Sequence, residues 1–192
     1  VRERVVIVAV QTALKPLLHW VALRYPSGEV RTLSTTDPLP NSPYLVTGMH
    51  FAFRDPPAGF KDDLLLPNIC QLGTLQYLRI PSGTVALSAS DLQRMAESPV
   101  GRSLNELVTD VPLTDAALEQ LRRLPALANI TFNVTGADDE LIARCAELPL
   151  SSNLGLNRLD AATQVGERTL EMLSRVPTKQ LGLAFAKSLD NR

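Results

Sequence analysis

Residues 113–125, LTDAALEQLRRLP, decide how the rest of this chain is read. Leu118, Leu121 and Leu124 recur at i, i+3 and i+6, which draws one apolar stripe down a helix of about three turns. Thr114 and Asp115 stand where short oxygen-bearing side chains cap free N–H groups and suit the positive helix end. Pro125 lacks an amide hydrogen and turns the residue before it away from helical geometry, so the helix should stop there. The same pattern is written again in SDLQRMAESP (90–99), DDELIARCAELP (138–149) and GERTLEMLSRVP (166–177). Leu141, Cys145 and Leu148 form the stripe in the second of these, and Leu170, Leu173 and Val176 in the third; Asp138 and Asp139 open the helix of the former. The terminating prolines, 99, 125, 149 and 177, are 26, 24 and 28 residues apart.

Beside each helix pattern runs a second one, leucines alternating as in a half-buried strand. It reads LQYLRI from Leu75, LNELVT from Leu104, LANITF from Leu127, and LGL from Leu154 and from Leu181; GMHF (48–51) shares its phase. Its marker positions are Met49, Leu78, Leu107, Ile130, Leu154 and Leu181, in steps of 29, 29, 23, 24 and 27. One strand and one helix at that period cannot bury their leucines alone, but stacked units share a core. The competing reading is an ordinary α/β domain with alternating elements.

The stretch 113–125 with its continuation ALANITF resembles the bacterial leucine-rich repeat of the ribonuclease-inhibitor-like and cysteine-containing type. LLHWVALRYPSGEVRTL (17–33), PLPNSPYLVTGMHF (38–51) and DDLLLPNICQLGTLQYLRI (62–80) are similar to the block that introduces such repeats in large bacterial proteins. The resemblance implies an α/β leucine-rich-repeat solenoid: a parallel concave sheet, convex helices and an N-terminal helix–strand cap. It covers about residues 12–185, and some relatives carry the array beside a serine/threonine kinase. The ladder-forming Asn that follows the strand in that family is missing; Gly83, Pro112, Thr135 and Leu159 stand in its place.

The expected organisation is a cap over 1–44 and an array of about five units over 45–192, in one continuous domain. In the cap, KPLLHWVALRYPSG reads as a helix from Pro16 to the Pro26–Gly28 turn, with Trp20 as its anchor, and EVRTL (29–33) as a strand. Loops are expected at 81–89 and 157–166. The array ends on QLGLAFAKSLDNR, whose Leu181, Leu183 and Phe185 should fray or be covered by a partner.

Composition narrows the function. The chain is 45% hydrophobic and 20% charged, as in a folded soluble domain, and its formal net charge is -1, with 19 basic and 20 acidic residues. That balance gives no electrostatic case for nucleic acid or an anionic membrane. The apolar run VVIVAV (5–10) is far shorter than the roughly 20 residues of a membrane span, so no membrane insertion is expected. Lys15 and Pro16 follow it without a small-residue cleavage site, and the expected location is cytoplasmic. Cys70 and Cys145 lie three units apart, too far for a disulfide, and are expected as two free, buried thiols.

No cofactor, metal site or catalytic constellation is expected. His19 and His50 are distant in sequence and have no Cys or carboxylate partner at ligand spacing. The acidic run Asp138, Asp139 and Glu140 is explained by helix capping, and no Gly-rich phosphate loop or kinase motif is present. NIT at Asn129 and NVT at Asn133 match the glycosylation pattern only cheaply. What remains is the strand face. Between the buried leucines, one row reads His50, Arg79, Val108, Thr131, Gly155 and Gly182. A neighbouring row reads Tyr77, Glu106, Asn129, Asn153 and Gln180, and a third Asp110, Asn133 and Asn157. A polar wall of this kind suits a non-enzymatic module that binds a protein or peptide. The other function class is a regulatory or sensor segment of a larger signalling protein such as a serine/threonine kinase.

Overall fold

The computed structural model of the chain describes residues 18–34, 36–51, 65–80, 87–135, 137–150, 153–159, 166–175 and 180–185; among these, the side chains of 110, 146, 157–159, 169, 172–173 and 180–185 lie outside the description. Eight strands form one open sheet: β1 (Leu18–Arg24), β2 (Val30–Ser34), β3 (Leu45–Phe51), β4 (Tyr77–Arg79), β5 (Glu106–Pro112), β6 (Asn129–Asn133), β7 (Asn153–Leu159) and β8 (Gln180–Phe185). Their order across the sheet is β2-β1-β3-β4-β5-β6-β7-β8. Helices lie between the strands from β3 onward: α1 (Leu65–Ile69), α2 (Ala89–Ala96), α3 (Asp115–Leu121), α4 (Asp139–Ala143) and α5 (Glu167–Ser174).

The expected leucine-rich-repeat solenoid with a parallel sheet is corrected by this topology. The sheet is mixed: β1 runs antiparallel to both β2 and β3, and only from β3 to β8 are neighbours parallel. The expected cap helix is also absent, since Leu18–Arg24 is a strand. The cause is a β-bulge. Leu18 pairs with Phe51 and Trp20 with His50, so His19 and Trp20 together stand opposite one residue. The bulge shifts side-chain parity, and Leu18, Val21 and Leu23 all face the core. Read along the sequence, that i, i+3 spacing imitates a helix. The turn after β1 does form: Gly28 has φ 86°, which favours glycine, and its N–H donates to the Tyr25 carbonyl at 2.9 Å. The expected 44/45 boundary falls inside this sheet, because β1 on one side of it pairs with β3 on the other.

Within the parallel part, Met49, Leu78, Leu107, Ile130, Leu154 and Leu181 are consecutive register partners. The first five are at most 1% exposed. A second buried row joins Val111, Phe132 and Leu156. Helix residues close the core from one side: Leu92 and Met95 of α2, Leu118 and Leu121 of α3, and Ile142 of α4. The helices touch their neighbours in turn, α2 with α3 and α4 with α5. Ion pairs run between successive helical segments, Arg123–Glu97, Arg144–Asp115, Arg122–Glu147 and Arg168–Glu140. They are largely exposed and add little stability beside the apolar core.

The caps are where the residues placed them. Thr114 accepts from Ala117 N–H at 3.1 Å, Asp138 from Leu141 N–H at 2.8 Å, and Ser88 forms a capping box with Asp91. The helices stop before their prolines: α3 ends at Leu121, and α4 gives way to a 3-10 turn over Arg144–Glu147. Pro99 opens a 3-10 turn instead of ending a helix, and Pro177 lies outside the described residues. Leu170, expected in the buried stripe of α5, is 60% exposed. Of the two expected loops, 81–86 and 160–165 lie outside the described residues, while Asn157–Leu159 belongs to β7. Among the described residues no helix is long and apolar enough to cross a membrane.

Candidate functional site

The sheet face opposite the core residues carries the site. Register partners across it form two rows. One runs Ala22, Gly48, Tyr77, Glu106, Asn129, Asn153 and Gln180; the other runs Trp20, His50, Arg79, Val108, Thr131, Gly155 and Gly182. Of the expected residues, His50, Tyr77, Glu106, Val108, Asn129, Thr131, Asn133 and Asn153 are part-buried, and Arg79 is exposed.

The third expected row is altered. Asn133 pairs with Asn157, but its neighbour on β5 is Pro112, not Asp110. Val108 pairs with Thr131 and Val111 with Phe132, so Thr109 and Asp110 form a bulge that takes Asp110 out of the row. The side chains of Asp110, Asn157 and Gln180 lie outside the described residues.

The strongest feature of the face is one the sequence reading assigned elsewhere. Trp20, expected to anchor a cap helix, stacks on Tyr77 with ring centroids 5.4 Å apart and planes 14° from parallel. His50 meets the indole edge-on at 5.5 Å, and His19 meets His50 at 5.2 Å in the same manner. The β1 bulge makes this possible by delivering both His19 and Trp20 to the neighbourhood of His50. Gly48 supplies the floor: a Cβ there would lie 3.2 Å from the indole Cζ3 and 3.2 Å from Ala22 Cβ. A stacked pair of this type adds about 0.5–1.5 kcal/mol beyond its area burial. The missed signal was present in the residues, since GMHF places a glycine two positions from a histidine on a strand face.

Charge is arranged around the aromatic group. Arg79 follows Tyr77 by two residues on β4 and is the register partner of His50; Glu106 is the register partner of Tyr77. Neither the Arg79 nor the Glu106 side chain forms an ion pair or hydrogen bond with another described residue. Burial pushes the Glu106 carboxyl above its ordinary value, with Arg79 pulling the other way. Burial also lowers His50, and the nearby positive charge of Arg79 and the ring of His19 lower it further.

Beyond this group the face is polar and tied to itself. Asn105 donates to the Ala126 carbonyl at 3.1 Å, and Asn129 reaches the Asn105 side-chain oxygen at 3.5 Å. Thr131 leans over Gly155, where a Cβ would come within 2.7 Å of its hydroxyl oxygen. Arg24 donates to Gln76 Oε1 at 3.0 Å at the lower margin.

Other chemistry is thin. Among the described residues no three His, Cys, Asp or Glu side chains are placed to hold a metal ion. Cys70 and Cys145 are free and buried, and burial pushes the Cys145 thiol up to about 12. On the helix side, a groove lined by Thr114, Asp115, Asp138 and Arg144 consists of groups already engaged in caps and an ion pair. No family model, curated protein or solved structure matches the chain, and the resemblance to leucine-rich-repeat proteins rests on the quoted residues alone.

Proposed function

We propose that this protein is a non-enzymatic interaction module that binds a protein or peptide on the open sheet face. The observation that carries this reading is the half-buried Trp20–Tyr77 stack with His50 at its edge, flanked by the Arg79 and Glu106 side chains. Aromatic and Arg side chains supply most of the affinity at protein interfaces, because a large flat group loses little conformational freedom when covered. The remaining rows, with Val108, Asn129, Thr131, Asn133 and Asn153, add complementarity in place of energy. Cytoplasmic action belongs to the same proposal, since two buried free thiols suit a reducing compartment.

The test is capture of binding partners by the immobilised chain, quantified against the Arg79→Ala/Glu106→Ala double variant and against Tyr77→Ala. Loss of the captured species in both, with unchanged melting temperature for the double variant, supports the face as the interface. Undiminished capture by both variants contradicts it.

A further inference from the structure

The open face carries more latent positive charge than its composition at neutral pH reveals. His19 and His50 lie with ring centroids 5.2 Å apart, and Arg79 is the register partner of His50 on the next strand. The groups facing His50 among the described residues are His19 and Trp20 from β1 and Arg79 from β4; Glu106 on β5 lies beyond Arg79. Arg79 and Glu106 offset each other. When His50 protonates, the same few strands hold a further cation beside a single carboxylate. These cations repel one another unless an anion is brought in, so they make a place for one.

The adjoining surface suits an extended chain. Tyr77, Glu106, Asn129 and Asn153 stand in register on four adjacent strands, which spans about 14 Å at a strand spacing near 4.8 Å. A fully extended segment of about four residues covers that distance. Resting on the interaction reading above, we propose that this face binds acidic peptide segments, and that binding tightens as pH falls through the range in which His50 protonates. A carboxylate of the peptide sits against Arg79 and the histidine pair, and an apolar or aromatic neighbour covers the Trp20–Tyr77 stack. Binding is then coupled to proton uptake, because the bound carboxylate favours the charged His50 imidazole.

Trp20 is the sole tryptophan and lies in the site, so its fluorescence reports occupancy directly. The full chain is titrated at pH 7.5 and pH 5.5 with a glutamate-rich peptide containing one tyrosine, with its glutamine counterpart and with its lysine counterpart. The glutamate peptide is expected to bind severalfold, up to about tenfold, more tightly at pH 5.5, a size set by one added charge near a half-buried site. His50→Gln should abolish that pH dependence, and Arg79→Gln should weaken binding at both pH values. Far-UV circular dichroism checks that each variant is folded. Equal affinity of the glutamate peptide at the two pH values, or preference for the lysine peptide, overturns the proposal. If the glutamine peptide perturbs Trp20 as strongly as the glutamate peptide at both pH values, the acidic preference fails while the interaction face stands. If no peptide perturbs Trp20 under any condition, the interaction reading is contradicted together with the proposal.

Discussion

The two ends of the sheet are built on different rules. From β4 to β7 the strands are parallel, and on the core side one leucine-type residue follows another across each ladder, Leu78, Leu107, Ile130 and Leu154. At the β2-β1-β3 end the strands are antiparallel, and two register shifts interrupt the pairing of β1 with β3. Beyond Tyr77, Arg79, Glu106 and Val108, the parallel part presents amides and a hydroxyl, Asn129, Thr131 and Asn153. The antiparallel end presents rings, because its bulge places two consecutive side chains where regular pleating allows one. Regular register therefore makes the core, and irregular register makes the site.

Several substitutions break or sharpen this contrast. The largest effect belongs to the regular part. Leu107→Ala removes a side chain that is 0% exposed at the centre of the buried row, and should cost about 2–5 kcal/mol in urea unfolding. A loss below about 1 kcal/mol contradicts a shared core. Next come two glycines on the same face with different neighbours. Gly155→Ala drives a methyl into Thr131 at 2.7 Å and should destabilise by about 1–3 kcal/mol without altering Trp20 fluorescence. Gly48→Ala crowds the indole at 3.2 Å and should shift the Trp20 emission with a smaller loss of stability. An unchanged spectrum in Gly48→Ala would separate Trp20 from the β3 face.

A smaller effect tests the helices. Thr114→Ala removes the acceptor for the Ala117 N–H and should lower stability by about 1 kcal/mol, read as a shift in the urea midpoint. The smallest is a pH slope at the antiparallel end. The folded-state value of His50 is lowered from 6.5, so the unfolded chain binds more protons. This contribution is present above about pH 6.5 and is lost as pH falls through the folded value. His50→Gln should flatten the stability profile on the acid side of neutrality, measured by urea unfolding at successive pH values. An unchanged slope places the titration elsewhere.

How far the residues announced all this follows the same division. The marker row from Met49 to Leu181 was readable because strand period and leucine spacing agree, and because short polar caps such as Thr114 and Asp138 act through local geometry alone. The mixed topology was hidden in LHWVALR, where the bulge gives a strand the i, i+3 apolar spacing of a helix. The same concealment displaced Trp20 and His19 from the site. His50, Tyr77, Arg79 and Glu106 were legible, since their parity follows from the leucine beside each. Asp110 was misplaced because a bulge within β5 breaks the count between Val108 and Val111. Leu170 was misplaced as well: its apolar spacing predicts a buried position, and it is exposed.

The central claim is that β1 lies as a bulged strand against β3, bringing its rings onto the parallel ladder. Nuclear Overhauser contacts in the isotopically labelled protein test it most directly. The account predicts cross-peaks between the Trp20 and Tyr77 ring protons, with strong sequential Hα–HN contacts over 20–24. Sequential HN–HN contacts through that stretch, with no Trp20–Tyr77 cross-peaks, would contradict it.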